Sequence, residues 1–384
     1  MDQAVTISTS RRLKVVHIGK FYPPDLGGIE SVTATLAEST STAGHYTTVV
    51  CIGNLNSTEK SIGGVSIFRT KLLAQFASQP LSFKYLILSI SRAWKADIVH
   101  FHAPNMLGAM AVLLMRRKSS LVVHWHSDVC NKGWLGLLFR PLELALLQRA
   151  DRIIATSRLY AEYSSLLKIH FHKVSIVPIG IKDITTSSGS NVQLPESIRQ
   201  VLGSRSLLLS VGRLVPYKGF RVLIDAAKQM PNTLVVIVGM GPLHRELAMA
   251  VESSGMQKQV LLTGNLDKFT LHALFLHASL FCLPSVDRAE AFGVVLIEAM
   301  SYGLPIVATN IPGSGVSWVN LHGTSGLNVA VNNSKELAET CNKIMSNSVL
   351  REELSRGARQ RYLSHFSEQK FVSKVLDIYE KLRT

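Results

Sequence analysis

The sequence predicts an α/β protein of two doubly wound, parallel-sheet domains of the Rossmann type, facing each other across a cleft. Three observations carry this expectation. The chain has 384 residues, a length that suits two domains of roughly 150–200 residues each. Short runs rich in Val and Ile alternate with longer amphipathic stretches, the rhythm of strand–helix–strand units. That rhythm stops at a polar stretch, 182–195, which holds three serines, two threonines and a glycine, and then restarts.

In order along the first half, apolar runs predict strands at 13–19, 47–53, 97–102, 121–126, 152–156 and 174–179. Amphipathic segments at 29–43, 105–117 and 135–149 predict the helices between them. After the polar stretch, strands are expected at 207–211, 234–238, 260–263, 280–283 and 306–309, with helices at 219–230, 243–254, 270–278 and 294–302. The stretch 334–383 reads as helical and carries no strand signal. The expected organisation is an N-terminal domain over 1–182, a linker over 183–200, a second domain over 201–365 and a final helical segment over 366–384. In open sheets of this kind, ligands bind beyond the carboxyl ends of the strands. The loops after the strands are therefore where chemistry belongs.

Composition narrows the class. Hydrophobic residues make up 47% and charged residues 17%, which excludes extended disorder. No apolar run reaches the roughly 18–20 residues that span a bilayer. The longest, 103–115, stops at Arg116, Arg117 and Lys118. The first apolar stretch contains Lys14 and His17, unlike a secretory signal. Cys51, Cys130, Cys282 and Cys341 are scattered and read as buried thiols of a reducing cytoplasm. The net charge is +15, and residues up to Lys182 hold 21 bases against 10 acids. That excess points the first half at something anionic, a nucleic acid or a phospholipid surface. Residues 81–95 combine apolar bulk with Lys84, Arg92 and Lys95; as a helix they suit either a headgroup region or a core with a basic outer face.

Four segments attract attention as sites. Gly27-Gly28 opens the first predicted helix, where bare backbone N–H groups and the helix dipole favour an anion or form a tight turn. The dinucleotide fingerprint Gly-x-Gly-x-x-Gly is missing there, and after Gly239-Met240-Gly241 its third position is His244, so NAD is disfavoured. His124-Trp125-His126-Ser127-Asp128 closes a strand, and residues two apart share a strand face. Those groups suit a metal site through His126 and Asp128, although Val129 breaks the binuclear hydrolase motif. They equally suit a polar active-site edge extended by His100 and His102, or plain packing. Arg213 and Lys218 flank a turn before Gly219, a pair that suits a metal-free diphosphate site or, taken alone, two solvated loop cations. Glu290, Phe292, Gly293, Val294 and Glu298 span a strand-to-helix loop and the helix that follows. A carboxylate such as Glu298 in an apolar helix needs donors, and either ribose hydroxyls or an internal cap or pair would serve.

Glu290 and Glu298, with seven residues between them, resemble the Glu-x7-Glu signature of retaining glycosyltransferases of family 4. Gly212-Arg213 and Lys218-Gly219 resemble that family's diphosphate loop, and Gly27-Gly28-Ile29-Glu30 its N-terminal glycine loop. Trp125-His126-Ser127-Asp128 and Glu290-Ala291-Phe292-Gly293 look most like the bacterial lipopolysaccharide and O-antigen mannosyltransferases. Many members of the family have Glu-Gly-Phe-Gly at the latter segment, and residues 54–66 offer no acceptor motif.

The resemblance implies the GT-B fold, with an acceptor-binding first domain, a nucleotide-sugar-binding second domain and a final helix returning to the first. It implies transfer of a hexose, with mannose from GDP-mannose as the expected donor, to a lipid-linked or oligosaccharide acceptor with retention of configuration. Arg213, Lys218, Phe292, Gly293 and Val294 would hold the donor, Glu298 the ribose and Glu290 the sugar. His126 would hydrogen-bond the sugar beside the reacting carbon, and Gly27 and Gly28 would form the acceptor or phosphate loop. No metal or cofactor is expected. Location follows from the acceptor: cytoplasmic, bound peripherally to the inner face of the membrane, with no nucleic-acid partner. Rival readings are a UDP-sugar-dependent transferase or epimerase of the same fold, a metal-dependent hydrolase, and a basic nucleic-acid-binding protein. The last lacks any recognisable nucleic-acid motif.

Overall fold

The computed structural model describes residues 11–25, 27–76, 79–129, 134–185 and 192–383. These separate into two compact units. The first takes the residues up to Ala155, Ser165–Val177 and those from Val372 onward; the second takes Thr156–Ser164 and Pro178–Phe371.

The first unit runs β1 (Lys14–Ile18), α1 (Gly28–Thr42), β2 (Tyr46–Gly53), β3 (Ser57–Lys60), β4 (Ser66–Lys71), β5 (Ala74–Phe76), β6 (Gln79–Leu81), α2 (Phe83–Ala93), β7 (Ile98–Ala103), α3 (Met106–Leu113), β8 (Ser120–Trp125), α4 (Trp134–Arg149) and β9 (Arg152–Ala155). After α5 (Arg158–Tyr163), which groups with the second unit, β10 (Val174–Ile176) completes it. Its main sheet has the order β10-β9-β8-β7-β1-β2-β4-β3. All pairings in it are parallel except β3 with β4. Every residue of β7 is buried, His100 and His102 included, as expected of a strand in a parallel sheet covered on both faces. The strands β3 to β6 went unpredicted. β3 is wholly exposed and polar, so no apolar pattern announces it, and the Arg69–Glu59 ion pair at 2.8 Å joins it to β4.

The second unit continues with α6 (Glu196–Leu202), β11 (Ser206–Val211), α7 (Phe220–Ala227), β12 (Thr233–Val238), α8 (His244–Ser253), β13 (Val260–Gly264), α9 (Lys268–His277), β14 (Leu280–Leu283), α10 (Val294–Ser301), β15 (Ile306–Thr309), α11 (Val316–Val319), β16 (Gly326–Val329), α12 (Ser334–Ser346), α13 (Ser348–Arg361) and α14 (Glu368–Arg383). Residues of α14 from Val372 group with the first unit. The sheet order is β13-β12-β11-β14-β15-β16, parallel throughout. Its core joins Leu208, Val235, Ile237 and Cys282 of the strands to Leu223, Ile224 and Leu337 of the helices. Caps set several helix starts. Asp267 accepts from the N–H groups of Phe269 and Thr270, so α9 begins two residues before its apolar pattern does. Cys51, Cys282 and Cys341 are free and buried; Cys130 lies outside the described residues. Among the described residues, no helix is long and apolar enough to cross a membrane.

Candidate active site

In the second unit, the carboxyl ends of β11 and β14 are neighbours, and their loops pack without a gap. A Cβ on Gly219 would stand 2.0 Å from the Pro284 carbonyl oxygen, and its φ of +67° is one that glycine adopts freely. The Val286 N–H donates to the Tyr217 carbonyl at 2.8 Å. Ser285 and Ser314 anchor the second loop: Ser314 Oγ donates to the Glu290 carbonyl, and Thr309 Oγ1 to that of Ser285.

This packing presents charged groups at one edge. Lys218 Nζ lies 2.6 Å from Glu290 Oε2, and Ser285 Oγ donates to the same oxygen at 2.9 Å. Lys218 is 8% and Glu290 7% exposed, so the pair is shielded from water. Burial opposes the lysine's charge, but the Glu290 carboxylate holds its pKa above the usual value. Glu298, in the second turn of α10, feels Lys218 as well. Burial pushes its carboxyl up to about 7, with Lys218 pulling the other way. Gly293 precedes α10 with φ +78° and no side-chain cap, leaving N–H groups at that helix start without a side-chain acceptor. Val294 opens the helix there. The Phe292 ring is buried against Trp318 and Phe366, at centroid distances of 6.4 and 6.0 Å. Arg213, by contrast, is exposed.

The remaining expected residues lie in the first unit. Gly27 and Gly28 begin α1 and are exposed. The Glu30 carboxylate folds back over Gly27, so that a Cβ there would meet Glu30 Oε2 at 2.1 Å. His126 follows β8 and donates its backbone N–H to the Ala103 carbonyl. Its ring stacks on His124 at 4.2 Å, as their shared strand face predicts. His100 and His102 do not line an accessible polar edge: they are 0% and 1% exposed, packed with His17, His124 and His126. Asp128 Oδ1 accepts from the Trp125 indole at 2.8 Å. Two histidine trios, His17 with His100 and His102, and His102 with His124 and His126, have ligand nitrogens within 4.8 Å of one another. They are the groupings among the described residues that can hold an ion, and Asp128 is in neither.

The profile described as "Glycosyltransferase Family 4" matches residues 26–183, and that described as "Glycosyl transferases group 1" matches 196–361. The O-antigen chain mannosyltransferase C of Escherichia coli is 30% identical over 376 residues, spanning 96% of this chain and 99% of its own. The chain belongs to glycosyltransferase family 4. The D-rhamnosyltransferase WbpZ of Pseudomonas aeruginosa is 31% identical over 357 residues, 92% of each chain. Among solved structures, sucrose-phosphate synthase of Thermosynechococcus elongatus superposes with a TM-score of 0.75 at 20% identity, covering 97% of this chain and 99% of that one. WaaG, a glycosyltransferase involved in lipopolysaccharide biosynthesis, gives 0.67 at 19% identity, covering 95% and 99%. The fold of this glycosyltransferase is thus GT-B, two Rossmann-like parallel-sheet domains.

Lys218, Glu290 and Glu298 of the glycosyltransferase stand out in its motifs, whereas Ser285, whose hydroxyl completes the Lys218–Glu290 contact, does not. Its signal is faint: one buried serine two residues after a strand. His17 does not stand out either, because only strand pairing sets it beside His100.

Proposed function

We propose that this glycosyltransferase retains anomeric configuration while moving a hexose from a nucleotide sugar to a hydroxyl, without a metal. The observation that carries the reading is the buried Lys218–Glu290–Ser285 contact beside the start of α10, with Glu298 in the same field. Breaking the bond from the anomeric carbon to the diphosphate leaves positive charge on the sugar and negative charge on the leaving group. Lys218 and the exposed Arg213 supply cations, and the α10 start supplies N–H groups, where that negative charge develops. Phe292 contributes through its backbone, since its ring is committed to the core, and Val294 through its N–H. Glu290, already held by Lys218, is assigned the face of the sugar where a carboxylate favours an oxocarbenium-like state. Glu298 is assigned the ribose hydroxyls and His126 a hydroxyl of the transferred sugar. Gly27 and Gly28 are assigned an anionic group of the acceptor.

We take mannose from GDP-mannose as the donor and a lipid-linked glycan of cell-surface polysaccharide synthesis as the acceptor. Support comes from the E. coli relative, named for O-antigen chain mannosyl transfer. HepE of Anabaena, similar in fold at 18% identity with a TM-score of 0.74 and covering 96% of this chain and 100% of its own, was solved with UDP; a UDP-sugar donor is therefore the competing reading. A thermal-shift panel of GDP, UDP and ADP separates them. A ligand at 100 times its Kd stabilises by roughly 2.7 kcal/mol. GDP should give the largest shift; a larger one with UDP would transfer the assignment.

Peripheral binding to the inner face of the cell membrane belongs to the same proposal. On α2, Tyr85, Ser89 and Ala93 are buried, while Phe83 is 79%, Ile87 66% and Trp94 46% exposed. Trp94 donates its indole N–H to the Leu114 carbonyl at 2.9 Å, and Arg116 stacks over its ring at 4.9 Å. Exposed apolar side chains beside Lys84, Lys95, Arg116, Arg117 and Lys118 suit an anionic headgroup layer. Arg92 departs from this set: its guanidinium packs over Phe68 at 4.0 Å.

A further inference from the structure

Five histidines, four on three adjacent strands and His126 directly after the last of them, share one buried face of the first unit's sheet. His17 of β1 pairs in register with His100 of β7, and His102 of β7 with His124 of β8. Alternation along β7 and β8 then brings His100 and His102, and His124 and His126, to the same side. Four of the rings are 0–1% exposed and His126 is 7% exposed. Their nitrogens form two chains. In one, His17 Nδ1 lies 3.2 Å from His102 Nε2, and His102 Nδ1 lies 3.0 Å from His126 Nε2. In the other, the Tyr379 hydroxyl lies 2.6 Å from His100 Nδ1, and His100 Nε2 lies 3.2 Å from His124 Nδ1. The chains stack on each other, with His102 over His124 at 5.7 Å and His124 over His126 at 4.2 Å. Burial holds all five rings neutral, with His17 and His126 brought down to about 3.

A neutral imidazole has one N–H and one lone pair. A chain of three therefore has two proton arrangements, and choosing one fixes every ring. The end ring decides between them. His17 Nε2 is fully buried with no hydrogen-bond partner among the described residues. A proton there would be an orphaned buried N–H, rarer in folded proteins than an orphaned acceptor. The protons consequently sit on His17 Nδ1 and His102 Nδ1, and His126 Nε2 accepts from His102. The remaining nitrogen of His126, Nδ1, then carries its proton. We propose that His102, backed by His17, is a positioning residue that fixes His126 as a hydrogen-bond donor through Nδ1, oriented toward an acceptor oxygen of a hydroxylated substrate. The role in turnover rests on the reading that His126 contacts the transferred sugar; the tautomer does not.

Long-range proton–nitrogen correlation spectra of protein carrying ¹⁵N-histidine report which nitrogen of each ring is protonated. The wild type should show His126 protonated at Nδ1. His102→Leu removes the donor and should let His126 shift toward Nε2–H. His102→Asn, whose amide nitrogen stands near the place of Nδ1, should restore the wild-type pattern. In turnover, His102→Leu should lower kcat by roughly tenfold or more with donor KM changed less than about twofold. A misassigned tautomer can cost up to about 10⁴ in a serine protease. His102→Asn should recover most of kcat. Should His102→Leu not fold, His17→Leu removes the end ring and should blur the His126 tautomer in the same way. A wild-type proton on Nε2, an unchanged tautomer in His102→Leu, or stoichiometric zinc or nickel in the freshly purified protein would each overturn the proposal. Full activity of His126→Ala would instead defeat the sugar-contact reading, whatever the spectra show.

Discussion

At the scale of single residues, Lys218, Glu290 and Glu298 respond differently to replacement. Removing Glu290 outright strands a buried ammonium, and breaking such a pair costs about 3–5 kcal/mol. The informative variant is therefore Glu290→Gln, which keeps a polar partner for Lys218. Lys218→Ala should lower kcat on the order of 10²–10³ by withdrawing a stabiliser of the leaving group. Calorimetry with the bare nucleoside diphosphate should show weakened binding for Glu298→Ala and near-normal binding for Glu290→Gln. Equal losses for the two would deny them separate roles. Glu298 also makes stability depend on pH. Its folded pKa, about 7, lies above the ordinary 4.5, so the folded state binds more protons than the unfolded state between those values. The stabilising contribution is full below that window and is lost as pH rises through it. Melting curves from pH 4.5 to 8 should therefore show wild type losing Tm relative to Glu298→Gln; parallel profiles would contradict the burial of that carboxyl.

At the scale of elements, regular strands and helices were legible because a parallel sheet covered on both faces needs continuous apolar runs. β12, buried along its whole length, is an example. β3 was illegible because an exposed edge strand need not be apolar. Within the candidate site, the glycines and glutamates stood out through their spacing. The Lys218–Glu290 contact did not, since pairing of β11 with β14 creates it across 72 positions of sequence. The histidine stack was half visible: alternation announced His124 with His126, but strand order alone adds His17. For α2, the segment's composition left core and surface readings equal, and its exposed Phe83, Ile87 and Trp94 favour the surface. Co-sedimentation should therefore require anionic vesicles and weaken with salt. It should also fall in Lys84→Glu/Lys95→Glu, while Arg92, packed over Phe68, is left in place. Equal pelleting with neutral and anionic vesicles would remove the electrostatic part of the proposal.

At the scale of the whole molecule, the charge of +15 suits anionic partners at both units, a nucleotide diphosphate and a lipid surface. Fixed cations and a helix start are proposed to do the work of a metal, so turnover should persist in excess chelator. Inactivation by chelator, reversed by zinc, would favour the hydrolase reading built on His126 and Asp128. Retention of configuration has a direct chemical readout. Glu290 and Glu298 are assigned separate tasks in the proposed reaction, so the double-displacement geometry of retaining hydrolases, whose carboxyl groups stand about 5–5.5 Å apart, is not assumed for it. Proton NMR of the glycoside formed from GDP-α-mannose and a hydroxyl acceptor reports the anomeric configuration of the new bond. Retention yields an α-mannoside; a β-mannoside would show inversion and overturn the proposed reaction.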